Sequence, residues 1–461
     1  MTRIHRRFLS NPVVAFSTAV VTLSVLSVTT PKVPAHAVLQ DTPKAIVDEA
    51  WQIVNREYVD RETVEAKWQP LRQQLLNRNY ATKEQAYEAL REAFKTFDDV
   101  YTRFMDPTQF DSLNNQTQGE LSGVGIRLEL PEDTKVLTIV EPLPESPASQ
   151  AGIRSGDQIM AINGKPTKGM SIEDASALIR GEIGSEVVLR LRRKGIKDFN
   201  QPITRAKIEL QTVRYSLRNE GGKRIGYIRL SDFSSHADEQ MERAIKSLNN
   251  QNADAFILDL RGNPGGLLDQ SLSISQMWLE KGDIVKTIDR TKVTEIVDRS
   301  GMVKTVDSEG KIRMLNRRGF YQEVVPNRPI LSKLPLAVLV DGNSASSAEI
   351  LTGALQDNQR ATIIGTQTFG KALVQSVHPL MSDRAGLAVT IAHYYTPKGR
   401  DISKKGIAPD IEVGLTEKDR DTLSSNPKLI GTLSDPQYAK AVTILGGGTI
   451  AGNPTQKTSQ R

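Results

Sequence analysis

Two almost wholly apolar runs, Ala255 to Leu260 and Leu336 to Val340, each give way to a turn of small residues and then to a helical pattern. Short runs without polar alternation suit strands buried inside a core. Ahead of them, Ile225 to Leu230 reads as a third strand, and Met241, Ala244, Ile245 and Leu248 recur at the spacing of one helix face. Between the runs, Gly262 to Gly266 turns the chain into another helix, and a further helix is predicted from about Ser346 to Leu355. Strands alternating with helices imply an α/β core.

At 461 residues the chain is too long for one core, so two or three domains are expected. From Pro43 to Thr96 the pattern is helical, with Ile46, Ala50, Ile53 and Val54 on one apolar face, a packing surface rather than a source of chemistry. From about Gln118 the texture changes to short β-like runs, Val124 to Leu130 and Lys135 to Val140 among them. Ser171 with Asp174 opens a helix faced by Ala175, Leu178 and Ile179, and Val187 to Arg192 closes the unit as an alternating strand. The polar, basic stretch from Arg290 to Tyr321 reads as a solvated loop or surface insertion, with hairpin character around Asp307 to Gly310. The Gly-, Thr- and Gln-rich end is expected to be disordered.

Arg3, Arg6 and Arg7 precede an apolar run from Val13 to Val28, followed by Pro34 and Ala35-His36-Ala37. A basic head, a greasy middle and an A-x-A ending describe a secretory signal cut after Ala37. The run is shorter than the ~20 residues that span a bilayer, which makes an uncleaved anchor the weaker alternative. Four of the six excess positive charges lie in this leader, so the rest of the chain calls for no nucleic-acid partner. There is no cysteine, which excludes disulfides, thiol nucleophiles and thiolate zinc sites. His236, His378 and His393 show no metal-ligand spacing, and no metal or other cofactor is expected.

Three loops could carry chemistry. In Asn343-Ser344-Ala345-Ser346-Ser347-Ala348-Glu349, small residues lead from a buried strand into a helix start. A serine there could attack a carbonyl while outward-pointing N–H groups hold the oxyanion; the alternative is that Ser344 or Ser346 only caps the helix. Asp259 to Gly266 exposes backbone N–H groups at a Gly-Gly turn, fit for an oxyanion hole or for a plain tight turn, and the P-loop spacing is absent. Lys371 sits in a Gly-flanked loop between the apolar runs Ala361 to Ile364 and Leu387 to Ile391. A lone lysine is normally solvated, but a buried one loses proton affinity and can serve as a base. A Ser–His–Asp arrangement has little support, since no G-x-S-x-G is present and His378 is the best of three poor candidates.

These loops, with Ala50-Trp51-Gln52-Ile53-Val54-Asn55, Tyr101-Thr102-Arg103-Phe104, Gly119 to Gly125, Gly353 to Asn358 and Gly406-Ile407 with Pro409-Asp410, occur in an order that resembles the carboxyl-terminal processing proteases, in particular the cyanobacterial and chloroplast branch. The resemblance implies an α/β multidomain protein: a ClpP/crotonase-like serine protease core with an inserted PDZ domain and an N-terminal helical region. Expected boundaries are a signal peptide over 1–37, helices over 38–117, the PDZ domain over 118–205, the Ser/Lys protease core over 206–443 and a disordered tail over 444–461. By the same resemblance Ser346 is the nucleophile, Lys371 its base, and Glu349 and Gln375 orient the pair. The oxyanion donors would be the N–H of Ser347 and that of Gly265 or Gly266. Ser122, Gly123, Val124, Gly125 and Ile126 would form the loop that holds a substrate's C-terminal carboxylate. Two positions depart from the family pattern: Ala372 stands where it usually has Gly, and Ser347-Ala348 replaces Ala-Ser before Glu349.

The function implied is a serine endopeptidase acting near the C-termini of exported or membrane proteins, in the thylakoid lumen or periplasm. One type of family member trims a photosystem II reaction-centre precursor. Peripheral membrane association is left open, as is the oligomeric state. The rival readings are a non-catalytic PDZ scaffold on an inactive protease core and acyl-thioester chemistry on a crotonase-like fold.

Overall fold

Both apolar runs are strands, Ala255–Asp259 and Leu336–Val340, with every residue buried. They pair in parallel, Phe256 opposite Leu336. Alternation divides their side chains: Phe256, Leu258, Val338 and Val340 face one core, while Ala255, Ile257, Ala337 and Leu339 face another. A sheet covered on both sides keeps its strands apolar throughout. The full strand order is Val213–Glu220, Lys223–Leu230, Ala255–Asp259, Leu336–Val340, Thr362–Gly365, Ile411–Glu412, parallel except for the first. Helices Ala237–Asn250, Leu268–Trp278 and Ser347–Asp357 pack on one face. Helix Pro436–Ile444 covers the other with Tyr438, Ala441 and Val442.

The computed structural model describes residues 42–131, 133–300, 302–306, 312–315 and 329–446; the expected leader and the chain beyond 446 lie outside them. The N-terminal segment forms helices Pro43–Glu57, Leu71–Asn77 and Lys83–Phe94, with an irregular turn over Arg61–Thr63 and Val64–Trp68. Thr42 caps the first and Pro43 opens it, where a missing N–H costs nothing. Trp68 packs on Phe94 with ring centroids 5.1 Å apart. This core does not close on itself: it includes Leu387 and Val389 from strand Gly386–Tyr395. Strand Arg103–Met105 pairs with that same strand, Arg103 opposite Ala388. The N-terminal region is therefore joined to the protease core by a shared sheet.

The described part of 290–321 is largely strand, not the solvated loop expected. Asp283–Asp289, Thr294–Asp298, Val303–Val306 and Ile312–Leu315 run antiparallel and extend the sheet built on Gly386–Tyr395. The hairpin lies where it was read, its turn outside the described residues. Glu295, Asp298 and Lys304 on strands of which only a few residues, such as Val297 and Val303, are buried give the ribbon the composition of a loop.

Residues 126–204 make a second antiparallel sheet in the order Ile126–Glu129, Thr138–Pro142, Gln158–Ile162, Glu186–Arg192, Phe199–Thr204, packed against helix Ile172–Ile179. The second of these strands begins at Thr138 rather than at Lys135, whose φ of +50° places it in the preceding turn. Glu120–Gly123 pairs with Ala206–Glu209 where the chain enters and leaves this unit.

Candidate active site

Residues 341–346 leave strand Leu336–Val340 and enter helix Ser347–Asp357. Ser344 is fully buried and structural: its hydroxyl donates to the Leu260 carbonyl at 2.9 Å and accepts from the Asp341 N–H at 3.0 Å. Ser346 occupies the helix N-cap in a capping box with Glu349, its N–H donating to Glu349 Oε2 at 3.0 Å and its carbonyl accepting the Glu349 N–H at 2.8 Å. Its φ of 54° and ψ of −118° are sparsely populated for a side chain with Cβ, a strain of about 1–3 kcal/mol. The Gly-Gly turn approaches so closely that a Cβ on Gly265 would lie 2.7 Å from the Ser346 Cβ. Glycine is required there.

The loop bearing Lys371 reaches the serine through Glu349. This buried carboxylate accepts the N–H groups of Ser346 and Lys371 on the same oxygen, each at 3.0 Å, so the two backbone nitrogens are no farther apart than twice that distance. It also accepts the Gly370 N–H at 2.7 Å and the Thr368 hydroxyl at 2.6 Å. The Lys371 Nζ donates to Gln375 Oε1 at 2.7 Å and sits 4.9 Å from the centre of the Tyr101 ring. It is not hydrogen-bonded to Ser346. Burial, and then the positive charge of Arg103, lower the Lys371 pKa below the ordinary lysine value, against the opposing pull of Asp99 and Glu349.

Of the backbone donors, the Gly265 N–H is occupied by Asn263 Oδ1 at 2.8 Å. The N–H groups of Gly266 and Ser347 meet no acceptor among the described residues. The Ser347 hydroxyl donates to the Gly266 carbonyl at 2.9 Å, holding the two turns together. Asp259 and Arg261 from the same motif serve the scaffold. Arg261 bonds Asp259 and Asp435 through paired nitrogens, locking the turn to helix Pro436–Ile444. Among the described residues no histidine is hydrogen-bonded to Ser346: His236 bonds Glu120 and His378 lies 2.8 Å from a Glu57 carboxylate oxygen.

In the smaller unit, Ser122, Gly123, Val124, Gly125 and Ile126 all line one groove of about 260 Å³, closed on its far side by Ser176, Ile179 and Arg180. The N–H groups of Val124 and Gly125 have no acceptor among the described residues, and Ile126–Glu129 is an edge strand of its sheet.

The sequence reading missed Tyr101. Its carbonyl accepts from Gln375 Nε2 at 2.5 Å. The only signal was its place in a family-like motif, because nothing local links positions 101 and 371.

A family model described as peptidase family S41 matches residues 224–413, and a PDZ domain model matches residues 138–193. A carboxyl-terminal-processing protease of Picosynechococcus sp. is 38% identical over 401 residues, covering 86% of this chain and 88% of that protein. The chain belongs to peptidase family S41. It is a serine-type peptidase with a PDZ domain, acting on proteins, on an α/β multidomain fold. The chloroplastic carboxyl-terminal-processing peptidase 2 of Arabidopsis thaliana is 35% identical, covering 88% of this chain and 75% of its own length. Among solved structures, a photosystem II D1 C-terminal processing protease is 32% identical with a TM-score of 0.50, covering 86% of this chain and 99% of its own. Neither a dead scaffold nor acyl-thioester chemistry finds support in these likenesses.

Proposed function

We propose that the protein is an endopeptidase that cuts near the C-terminus of exported protein substrates, with Ser346 as nucleophile and Lys371 as general base. The observation that carries this is Glu349 Oε2, which holds the backbones of both residues on one atom. Supporting it are the strained Ser346 backbone against the Gly265 turn and an amine whose burial favours the neutral form. Lys371 turns about its side-chain bonds from Gln375 to Ser346 and takes the hydroxyl proton. Ser346 Oγ then bonds the scissile carbonyl carbon, and the oxyanion is received by the N–H of Ser347 and of Gly266. Lys371 returns the proton to the leaving amine. It next deprotonates a water, which releases the acyl group and restores Ser346.

The groove beside Ile126–Glu129 suits a substrate C-terminus added as an edge strand, its carboxylate on the N–H groups of Val124 and Gly125. The leader and the relatives favour the thylakoid lumen or periplasm, and the D1-processing relative makes a photosystem II reaction-centre precursor the first substrate to examine. Casein cleavage tests the chemistry: Ser346→Ala and Lys371→Arg should both abolish it, because a guanidinium stays protonated. Wild-type turnover in Lys371→Arg would remove the base assignment. Mass spectrometry of exported C-termini in a strain lacking the protein tests the substrate, with an untrimmed precursor expected.

A further inference from the structure

The lysine loop is not self-sufficient. Its amine is bounded by a segment some 270 positions earlier in the chain and outside the residues matched by the peptidase model. Two contacts come from that segment. The Tyr101 ring face lies under Lys371 Nζ at 4.9 Å, and the Tyr101 carbonyl accepts from Gln375 Nε2 at 2.5 Å. Gln375 Oε1 in turn accepts from the same Nζ at 2.7 Å. One residue thus touches both members of the Lys371–Gln375 pair, through its ring and its backbone.

Tyr101 is itself fixed. Asp99 accepts the Tyr101 N–H at 2.9 Å and the hydroxyls of Thr102 and Thr390 at 2.7 Å each. The Thr390 N–H donates to the Thr102 hydroxyl at 2.9 Å. Thr390 stands opposite Gln375 in the strand ladder, so one point of the sheet sets both the glutamine and the turn that presents the tyrosine. We propose that Tyr101 is a positioning residue for proton transfer in this peptidase, its ring face and its carbonyl together determining where the Lys371 amine rests. The inference rests on Lys371 being the base.

A lysine carries four flexible carbons, and an amine free to wander into water would regain its proton affinity and lose its aim. An aromatic face attracts the ammonium form, while the bulk of the ring excludes water. The groups around Lys371 are Arg103 and Asp99 on the Tyr101 segment, Glu349 on the nucleophile helix and Tyr394 on strand Gly386–Tyr395. Burial is the largest influence lowering the Lys371 pKa, and the Tyr101 ring is part of that cover, so its removal should raise the amine's proton affinity.

The test is the pH profile of kcat/KM for the full chain on an internally quenched peptide with a free C-terminus. Tyr101→Phe should keep the wild-type profile. In Tyr101→Ala the acidic limb should move up by about one unit, lowering cleavage near pH 7 roughly tenfold and recovering at higher pH. A purely structural role would depress all pH values equally. Tyr101→Leu retains bulk without an aromatic face and decides the matter if the alanine variant does not fold: kcat should fall several-fold with KM unchanged. An unmoved limb in Tyr101→Ala, or wild-type kcat in Tyr101→Leu, overturns the inference. Lys371→Ala run alongside separates the two claims, because its activity loss with unaffected Tyr101 variants leaves the Ser346–Lys371 reading intact.

Discussion

Replacing Glu349 with alanine removes one acceptor from five donors. The N–H groups of Ser346 and Lys371 lose bonds of 3.0 Å, Gly370 one of 2.7 Å, and the hydroxyls of Thr368 and Tyr394 bonds of 2.6 and 3.3 Å. The hydroxyls suffer least. Thr368 still accepts from the Ile407 N–H at 2.7 Å, and Tyr394 is shared with the Ser346 carbonyl at 3.3 Å. The three backbone donors have no substitute, and each left unpaired costs about 1–3 kcal/mol. Loop relaxation and entering water return part of that, so the net loss should be about 3–5 kcal/mol. Glu349→Gln is gentler. With its carbonyl oxygen turned toward Ser346 and Lys371, its amide opposes the Gly370 N–H, a conflict of about 1–3 kcal/mol, while the Thr368 hydroxyl on the same side can turn to accept from it. Thermal melting, with hydrogen exchange of a peptide spanning 366–375, reads both. The alanine variant should melt lowest and exchange fastest in that peptide, the glutamine variant in between. An alanine variant that melts and exchanges like wild type would refute the reasoning.

Ala372→Gly should be nearly neutral in stability. Relief of the φ of +50° is worth about 1–2 kcal/mol, but it is opposed by about 0.4–1 kcal/mol of unfolded-chain entropy and by about 0.8 kcal/mol for the buried methyl. A melting shift equivalent to more than about 1 kcal/mol would contradict that balance. Because the Lys371 pKa is lowered, cleavage should rise with pH through that lowered value and be already high below the ordinary lysine value of 10.5. The same group penalises folding most at pH values below its folded pKa, and the penalty fades as pH climbs toward 10.5; melting temperatures across pH check the sign. Gly125→Ala would put a Cβ 2.4 Å from the Ser146 Cβ at a φ of +75°. It should weaken binding of a C-terminal peptide at least tenfold by fluorescence anisotropy, with unchanged binding counting against the groove as a carboxylate site.

Much of this protein was legible along the chain. The buried strands and the small-residue turn before Glu349 are local patterns, and they led to the right core because apolar periodicity reports burial directly. Whether Ser346 caps a helix or stands free was not legible, since both roles use the same small polar residue at a helix start. Its backbone strain and the neighbouring Gly265 single it out, and they come from two different loops. The polar ribbon after residue 290 misled, because a strand with few buried residues shares its composition with a loop. Residues 101 and 371 are brought together by strand Gly386–Tyr395, which pairs both with Arg103–Met105 and with Leu373–Pro379. A sequence specifies periodicity and local turns, whereas contacts of that separation exist only once the sheet has closed.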